Sequence, residues 1–404
     1  MTVNSYFSQL QASKLDPIVE LMTSYAKDTH PNKIDVSIGV YKTEEGDPNY
    51  IFPCVQAAKE KLAAKDPGHC YTLMSGIPAF VSSAQKTIFG ANHDDVVSVQ
   101  AISGSGALHL AFSFLLQTGL HDFYVGAPAW SNYRSMIEHA GGNYHEYQYY
   151  DPVANAVDFE AAVEALSTAP ARSVFVLQAV CHNPTGCDYT KEQWAQILDI
   201  IQTRNIFPLF DIAYQGFASG DINDDAWVIR EAYKRGLEFV ACQSYSKNMG
   251  LYSERAGCTH VRINDKEVAN NVSSLLVATI RSEFSFAPAF GARVATIVQQ
   301  DEQLSKVWAE NVLAVTERLE GVRRQVLNKL TKLQTPGNWE PIVKQNGLFW
   351  YSGLTPLQVE KLIEEHHIYG TSNGRVNVAG LNSSNIDAYC EAIDAIVRKY
   401  PFEA

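Results

Sequence analysis

From residue 96 to 265 short apolar runs alternate with longer stretches of helical spacing, and this alternation restricts the fold more than any single residue does. Runs over 96–102, 123–128, 173–179, 206–211 and 237–242 have strand length. The run Val174-Phe-Val-Leu177 is continuously apolar, as in a parallel sheet covered on both faces. Between two of these runs, Thr190-Lys-Glu-Gln193 reads as a capping box. It precedes Trp194, Ile197, Leu198 and Ile201, the apolar stripe of a helix. The pattern predicts an α/β fold with a doubly wound, mostly parallel sheet and right-handed crossovers. Such sheets place their ligands just past the carboxyl ends of the strands, so the loops there are where chemistry is expected.

Each of those loops carries polar groups. Ser103-Gly-Ser-Gly-Ala107 separates the first run from an apolar helix over 108–116. A strand, a Gly/Ser loop and a helix together cradle phosphate, because backbone N–H groups and the helix N-terminus favour an anion. The loop is neither a P-loop nor a dinucleotide fingerprint. Trp130 follows the second run, either as core or as cover for a flat ring. Cys181-His-Asn-Pro-Thr-Gly186 forms a turn after the third. Asp211 ends the fourth, with Tyr214 three residues on. A carboxylate at a buried strand end needs a partner, either a helix to cap or a pyridinium N–H. The fifth run leads into Gln243-Ser-Tyr-Ser-Lys-Asn-Met-Gly-Leu-Tyr-Ser-Glu-Arg-Ala-Gly257.

Lys247 lies in that stretch beside the hydroxyls Ser244 and Ser246, with Arg255 eight residues later. One reading is Schiff-base chemistry, which suits a lysine whose pKa is lowered by burial and nearby cations. A second is a Ser-x-x-Lys hydrolase, but that class also needs Ser-Asp-Asn and Lys-Thr-Gly, which the chain lacks. A third is a solvated surface lysine. The strand-end groups taken together favour the first. They supply donors for a phosphate, an acid for a ring nitrogen and a lysine for an aldehyde, which is what pyridoxal phosphate requires.

The chain is long enough, at 404 residues, for two domains of different size. A net charge of −12 argues against a general nucleic-acid or anionic-membrane binder. Seven cysteines without a Cys-x-x-Cys read as reduced thiols, with no metal cluster. No apolar run has membrane-spanning length, and residues 1–11 hold no basic residue, so the cytoplasm is the expected location. Residues 1–14 read as an arm, and Pro17 opens a helix. A strand is expected over 34–41 and includes Gly39, where backbone can approach a ligand. After a helical region at about 290–333 come a strand over 346–351, a helix over 356–366, a strand pair over 368–379 around Gly374-Arg375 and a last helix over 384–399. The expected division is an arm (1–14), a large domain (47–313) and a small α+β domain built from 15–46 and 314–404.

At this point a family resemblance is evident. Cys181-His-Asn-Pro-Thr-Gly186, Phe210-Asp-Ile-Ala-Tyr-Gln-Gly-Phe217, the run from Ser244 to Gly257 and Asn373-Gly-Arg-Val-Asn377 resemble the motifs of class I pyridoxal-phosphate aminotransferases. The aspartate/aromatic branch is the nearest, and the likeness runs from about residue 15 to 400. The resemblance implies fold type I and a homodimer. It implies that Lys247 joins the cofactor and shuttles the substrate's α-proton, and that Asp211 pairs with the ring nitrogen. Tyr214 and Asn183 would bond the ring's 3-oxygen, and Trp130 would stack on the ring. Ser103, Gly104, Ser105, Ser244 and Arg255 would hold the phosphate, with Tyr71 from a second subunit, and Ser246 would also contact the cofactor. Arg375 would bind the substrate α-carboxylate as a bidentate fork, near the Gly39 backbone.

Arg281 falls on the family's arginine for a distal carboxylate, again across the dimer; the competing reading pairs it with Glu283 at the surface. With it, the resemblance implies transfer of the amino group between aspartate and 2-oxoglutarate. Tyr133 and Gln178 stand where histidines are common in this family, Ser105 replaces a threonine, and Phe286-Ala287 replaces Asn-Pro. These departures keep an aromatic or broad-specificity aminotransferase open. Decarboxylation or β-elimination on the same cofactor, and a non-catalytic protein of this fold, are the other readings. The paired arginines argue against the first of these, and intact Lys247 and Asp211 against the second.

Overall fold

The computed structural model describes residues 5–12 and 17–402, so part of the expected arm lies outside the described residues. Seven strands form the central sheet. They are β1 (Val96–Ile102), β2 (Asp122–Ala127), β3 (Asn143–Gln148), β4 (Val174–Gln178), β5 (Phe207–Ile212), β6 (Phe239–Ser244) and β7 (Ala256–Arg262). Their spatial order is β1-β7-β6-β5-β4-β2-β3. Every pairing is parallel except the two made by β7.

Alternate residues of β4, β5 and β6 serve opposite faces, as strand geometry requires. Val174, Val176, Leu209 and Val240 pack with Leu108, Ala111 and Leu115 of the helix Ser103–Gln117. Phe175, Leu177, Phe210 and Phe239 pack with Trp194, Ile197 and Ile201 of the helix Lys191–Arg204. That helix starts at the expected capping box, with Thr190 accepting from Gln193 N and Gln193 reaching back. The fold is a mostly parallel α/β architecture, as expected for fold type I.

Two strands carry no apolar signature. β3, Asn-Tyr-His-Glu-Tyr-Gln, is an edge strand with exposed polar positions. β7 is buried along its whole length yet holds Thr259 and His260. Both are satisfied internally: Thr259 donates to Ala107 O at 3.1 Å, and His260 meets Ser98 at 2.8 Å and Gln243 at 3.1 Å. A buried strand can therefore be half polar, provided each group has a partner.

Other elements differ from expectation. The Gly/Ser segment after β1 is the first turn of the helix Ser103–Gln117, with no loop between them. The region near 290–333 is two helices, Ala289–Gln300 and Glu302–Leu333; the Asp301 carboxylate caps the second by accepting from Gln303 N and Leu304 N. The second helix runs unbroken across position 313, where the large domain was expected to end. Only Ile34–Asp35 of the expected 34–41 strand is regular, pairing in parallel with Ile368–Tyr369. The residues beyond it are held by side chains instead: Asn377 Nδ2 donates to Ile38 O and Val40 O, and Tyr252 Oη accepts from Tyr41 N. The expected strand pair over 368–379 does not pair with itself. Arg375–Asn377 turns away at Gly374, whose φ is +78°, and pairs antiparallel with Phe349–Tyr351.

Gly257 sits where β7 passes under the start of the helix Ser103–Gln117. A Cβ there would lie 2.6 Å from Gln243 O and 2.7 Å from Ser103 C, both backbone atoms that cannot step aside. Gly257→Ala is expected to cost about 1–3 kcal/mol, the usual cost of overpacking, read as a lower denaturation midpoint at unchanged m-value.

Candidate active site

A cavity of about 260 Å³ opens at the carboxyl ends of β1, β4, β5 and β6. Its lining includes Gly39, Ser103, Gly104, Ser105, Trp130, Asn183, Asp211, Tyr214, Ser244, Ser246, Lys247, Arg255 and Arg375. Of the site residues expected from sequence, only Tyr71 and Arg281 lie elsewhere on the chain. A larger groove, about 870 Å³, runs along Lys86, Asp221 and Glu310, but these charged residues are all exposed.

One end of the cavity is a cluster of donors. Ser103 Oγ lies 3.0 Å from Ser244 Oγ and 2.7 Å from Ser246 Oγ, so β1 and β6 present their terminal hydroxyls together. Ser103 begins a 15-residue helix, whose free N–H groups and dipole favour an anion there. Its φ is +58°, and its N–H donates to Arg255 O at 3.1 Å, which ties the helix start to the chain beyond Lys247. A Cβ at Gly104 would come 3.2 Å from that of Ser244, so a side chain there would crowd the cluster. Arg255 is itself held through its Nη1–H, which donates to Tyr252 O at 2.8 Å.

The middle of the cavity holds two buried groups of opposite charge. Burial pulls the Lys247 ammonium down to about 8; Asp211 opposes the fall and Arg255 adds to it. Burial pushes the Asp211 carboxyl up to about 6, against a hydrogen bond from Tyr133 and the charge of Lys247. Lys247 Nζ stands 5.0 Å from the centre of the Tyr214 ring. Asp211 Oδ2 accepts from Tyr133 Oη at 2.5 Å. Asp211 Oδ1, also buried, has no hydrogen-bond partner among the described residues.

At the other end, the segment 36–40 and the strand Arg375–Asn377 meet the turn after β4. Arg375 donates to Asn183 Oδ1 at 3.1 Å and to Ser37 O at 2.7 Å, with its guanidinium over the Phe349 ring. Asn183 is fixed in turn by Gln178, which accepts from Asn183 N at 2.8 Å and donates to Asn183 O at 3.1 Å. A Cβ on Gly39 would come 2.7 Å from Phe349 Cζ, so the backbone passes close to the Phe349 ring, on the strand paired with that of Arg375, only because no side chain intervenes.

These parts fit the cofactor expected from the sequence. The hydroxyl cluster, helix start and Arg255 suit a phosphate. The orphaned Asp211 Oδ1 suits a protonated ring nitrogen. A buried amine held near 8 suits an aldehyde. Tyr71 is 83% exposed and stacks on Phe286 at 4.7 Å, away from the cavity. Arg281 is exposed and donates to Ser285 Oγ at 3.1 Å; Glu283 binds His109 instead of Arg281. Sequence reasoning noted Tyr133 only as a departure from a common histidine that bears on substrate choice, not as a partner of Asp211. The signal available was its place three residues after Trp130, one helical turn away; the two rings meet edge to face at 5.4 Å.

The model of the family described as "Aminotransferase class I and II" matches residues 31–393. The cytoplasmic aspartate aminotransferase of Schizosaccharomyces pombe is 37% identical over 406 residues, covering 98% of this chain and 99% of the relative. The solved structure of the Saccharomyces cerevisiae cytoplasmic aspartate aminotransferase aligns with a TM-score of 0.95 at 35% identity, over 98% of this chain and 99% of that one. An aromatic-amino-acid aminotransferase from Burkholderia pseudomallei, solved covalently bound to pyridoxal phosphate, aligns with a TM-score of 0.94 at 33% identity, over 97% and 99%. With the family's motifs gathered at one cavity and the match running nearly end to end, this chain belongs to the class I and II aminotransferases.

Proposed function

We propose that the protein is a pyridoxal-phosphate enzyme that transfers the amino group reversibly between L-aspartate and 2-oxoglutarate, giving oxaloacetate and L-glutamate by a ping-pong route. The observation that carries the proposal is the cavity that holds Lys247 and the orphaned Asp211 carboxylate between an anion-binding helix start and Arg375. The names of the S. pombe and S. cerevisiae relatives support aspartate as the substrate. The S. pombe name also supports a cytoplasmic location, and no helix among the described residues is long and apolar enough to cross a membrane.

When bound, pyridoxal phosphate supplies the aldehyde that exchanges amino groups and a protonated ring that accepts the electron pair freed at the substrate's α-carbon. The chain's residues do the rest. Lys247 Nζ, kept from full basicity by burial, takes the α-proton and returns it. Asp211, as an ion, would keep the proton on the ring nitrogen. Tyr214 and Asn183 would hold the ring's oxygen, and Trp130 would cover its face. Ser103, Gly104, Ser105, Ser244, Ser246 and Arg255 bind the phosphate. Arg375 takes the substrate α-carboxylate as a two-pronged donor, with the Gly39 backbone beside it.

Two residues complete the site from a partner copy in this proposal: Tyr71 at the phosphate and Arg281 at the distal carboxylate. Supporting this homodimer, Tyr71, Leu73 and Phe290 are large apolar side chains left exposed on a single chain. The same proposal keeps the division into a large domain (47–313) and a small one (15–46 with 314–404). A second reading, an aromatic or broad-specificity aminotransferase, is favoured by Phe286, whose ring stacks on Tyr71 close in sequence to Arg281.

Lys247→Ala is expected to abolish formation of glutamate from aspartate and 2-oxoglutarate while far-UV circular dichroism stays native; retained turnover would remove Lys247 from its role. Arg281→Ala is expected to lower kcat/KM for aspartate by roughly 100-fold, the scale of unpairing one member of a desolvated charge pair, and to spare phenylalanine. Equal losses on both substrates would make Arg281 a structural residue.

A further inference from the structure

Asp211 is a buried charge of the cavity, 7% exposed, and one side chain decides how it is presented. Tyr133 is 1% exposed and its hydroxyl donates to Asp211 Oδ2 at 2.5 Å, leaving Oδ1 without a hydrogen-bond partner among the described residues. We propose that Tyr133 is a positioning residue that keeps Asp211 ionised through one oxygen and so reserves the other for the ring nitrogen of the cofactor. This inference rests on the reading of the cavity as a pyridoxal-phosphate site.

The chemistry follows from what a phenol can do. A tyrosine hydroxyl has one proton to give, and a carboxylate accepts it better than a carboxylic acid does, so the bond favours the charged form. The groups that face Asp211 come from four places: Tyr133 from the helix Asn132–Ala140, Cys242 from β6, Lys247 from the loop after it and Tyr214 from the segment following β5. Burial raises Cys242 and Tyr214 well above neutral pH, so both stay uncharged. Lys247 is the only cation of the set, and it is committed to the aldehyde. Tyr133 is therefore the donor that stays with Asp211. Burial and the Asp211 charge raise its own pKa far above 10, so the proton is not lost at any working pH. The same ring braces Trp130 edge to face at 5.4 Å, so the donor's position is set by packing as well as by its bond.

The test is the affinity of the cofactor-free protein for pyridoxal phosphate, read by fluorescence quenching from acid to neutral pH. In the wild type, affinity is expected to fall as pH drops through about 6, where Asp211 takes up a proton. Tyr133→Phe keeps the ring and removes the hydroxyl. It is expected to weaken binding about 10-fold or more at neutral pH and to move the fall upward by about one pH unit, as for losing a hydrogen bond to a buried charge. In an Asp211→Asn background, which has no charge to hold, Tyr133→Phe is expected to change affinity less than about twofold. An unchanged midpoint in Tyr133→Phe would overturn the inference alone. So would an equal loss in the Asp211→Asn background, since that would make Tyr133 mere packing. A wild type that binds no pyridoxal phosphate would overturn the reading of the cavity and this inference together.

Discussion

A carboxylate and an ammonium buried at neighbouring strand ends are the costly feature of this molecule, and much of the architecture exists to hold them. Removing an ion from water is expensive, and the cost is recovered only when partners are fixed in place. Around the sheet the milder problem of burying neutral polar groups is solved completely. Gln85, Ser98, His260, Gln243 and Gln215 form a buried chain in which each side chain bonds the next. At Asp211 it is solved halfway: one oxygen has Tyr133 and the other has no hydrogen-bond partner among the described residues. A buried acceptor left open beside a buried amine of lowered pKa is a fault in a structural core and an asset in a site that completes itself with a bound ring.

The sheet supplies most of the site because its parallel strands end at one edge. Hydroxyls from β1 and β6, the carboxylate of β5 and the turn after β4 converge there without any long loop. Arg375 comes from another part of the chain, and its placement depends on a second buried cation. Arg323, in the long helix Glu302–Leu333, donates to the carbonyls of Ile342, Gly347 and Phe349 at 3.0, 2.8 and 2.7 Å. It thereby fixes the strand Phe349–Tyr351, which pairs with the Arg375 strand and carries the ring beneath its guanidinium. Helix, carbonyls, strand and arginine form one chain of support. A substrate carboxylate would compete with Asn183 and Ser37 O for an arginine already in place, not one waiting in solvent.

The sequence made the layered fold legible because β4, β5 and β6 are apolar on both faces and their helices carry caps and stripes. It made nearly all of the cavity legible because a strand end followed by a polar turn is where such sheets put ligands. It missed β7, whose Thr259 and His260 look like surface residues until their partners across the sheet are known. It misplaced the pairing of 368–379, because register between distant segments depends on side chains such as Asn377 that carry no local pattern. It marked Tyr133 as a departure from a common histidine but missed its contact with Asp211, which spans 78 residues of chain. Tyr71 and Arg281 were named from resemblance alone; one chain leaves both outside the cavity.

The central claim is that Lys247 is the amine that joins the cofactor's aldehyde. The direct measurement is to saturate the protein with pyridoxal phosphate, fix the bond with borohydride, digest and locate the phosphopyridoxyl mass among the peptides. The account predicts that the label falls on the peptide holding Lys247, in stoichiometric amount, and that prior incubation with aspartate prevents it by converting the cofactor to its amine form. Label spread over exposed lysines, or none on Lys247, would contradict it.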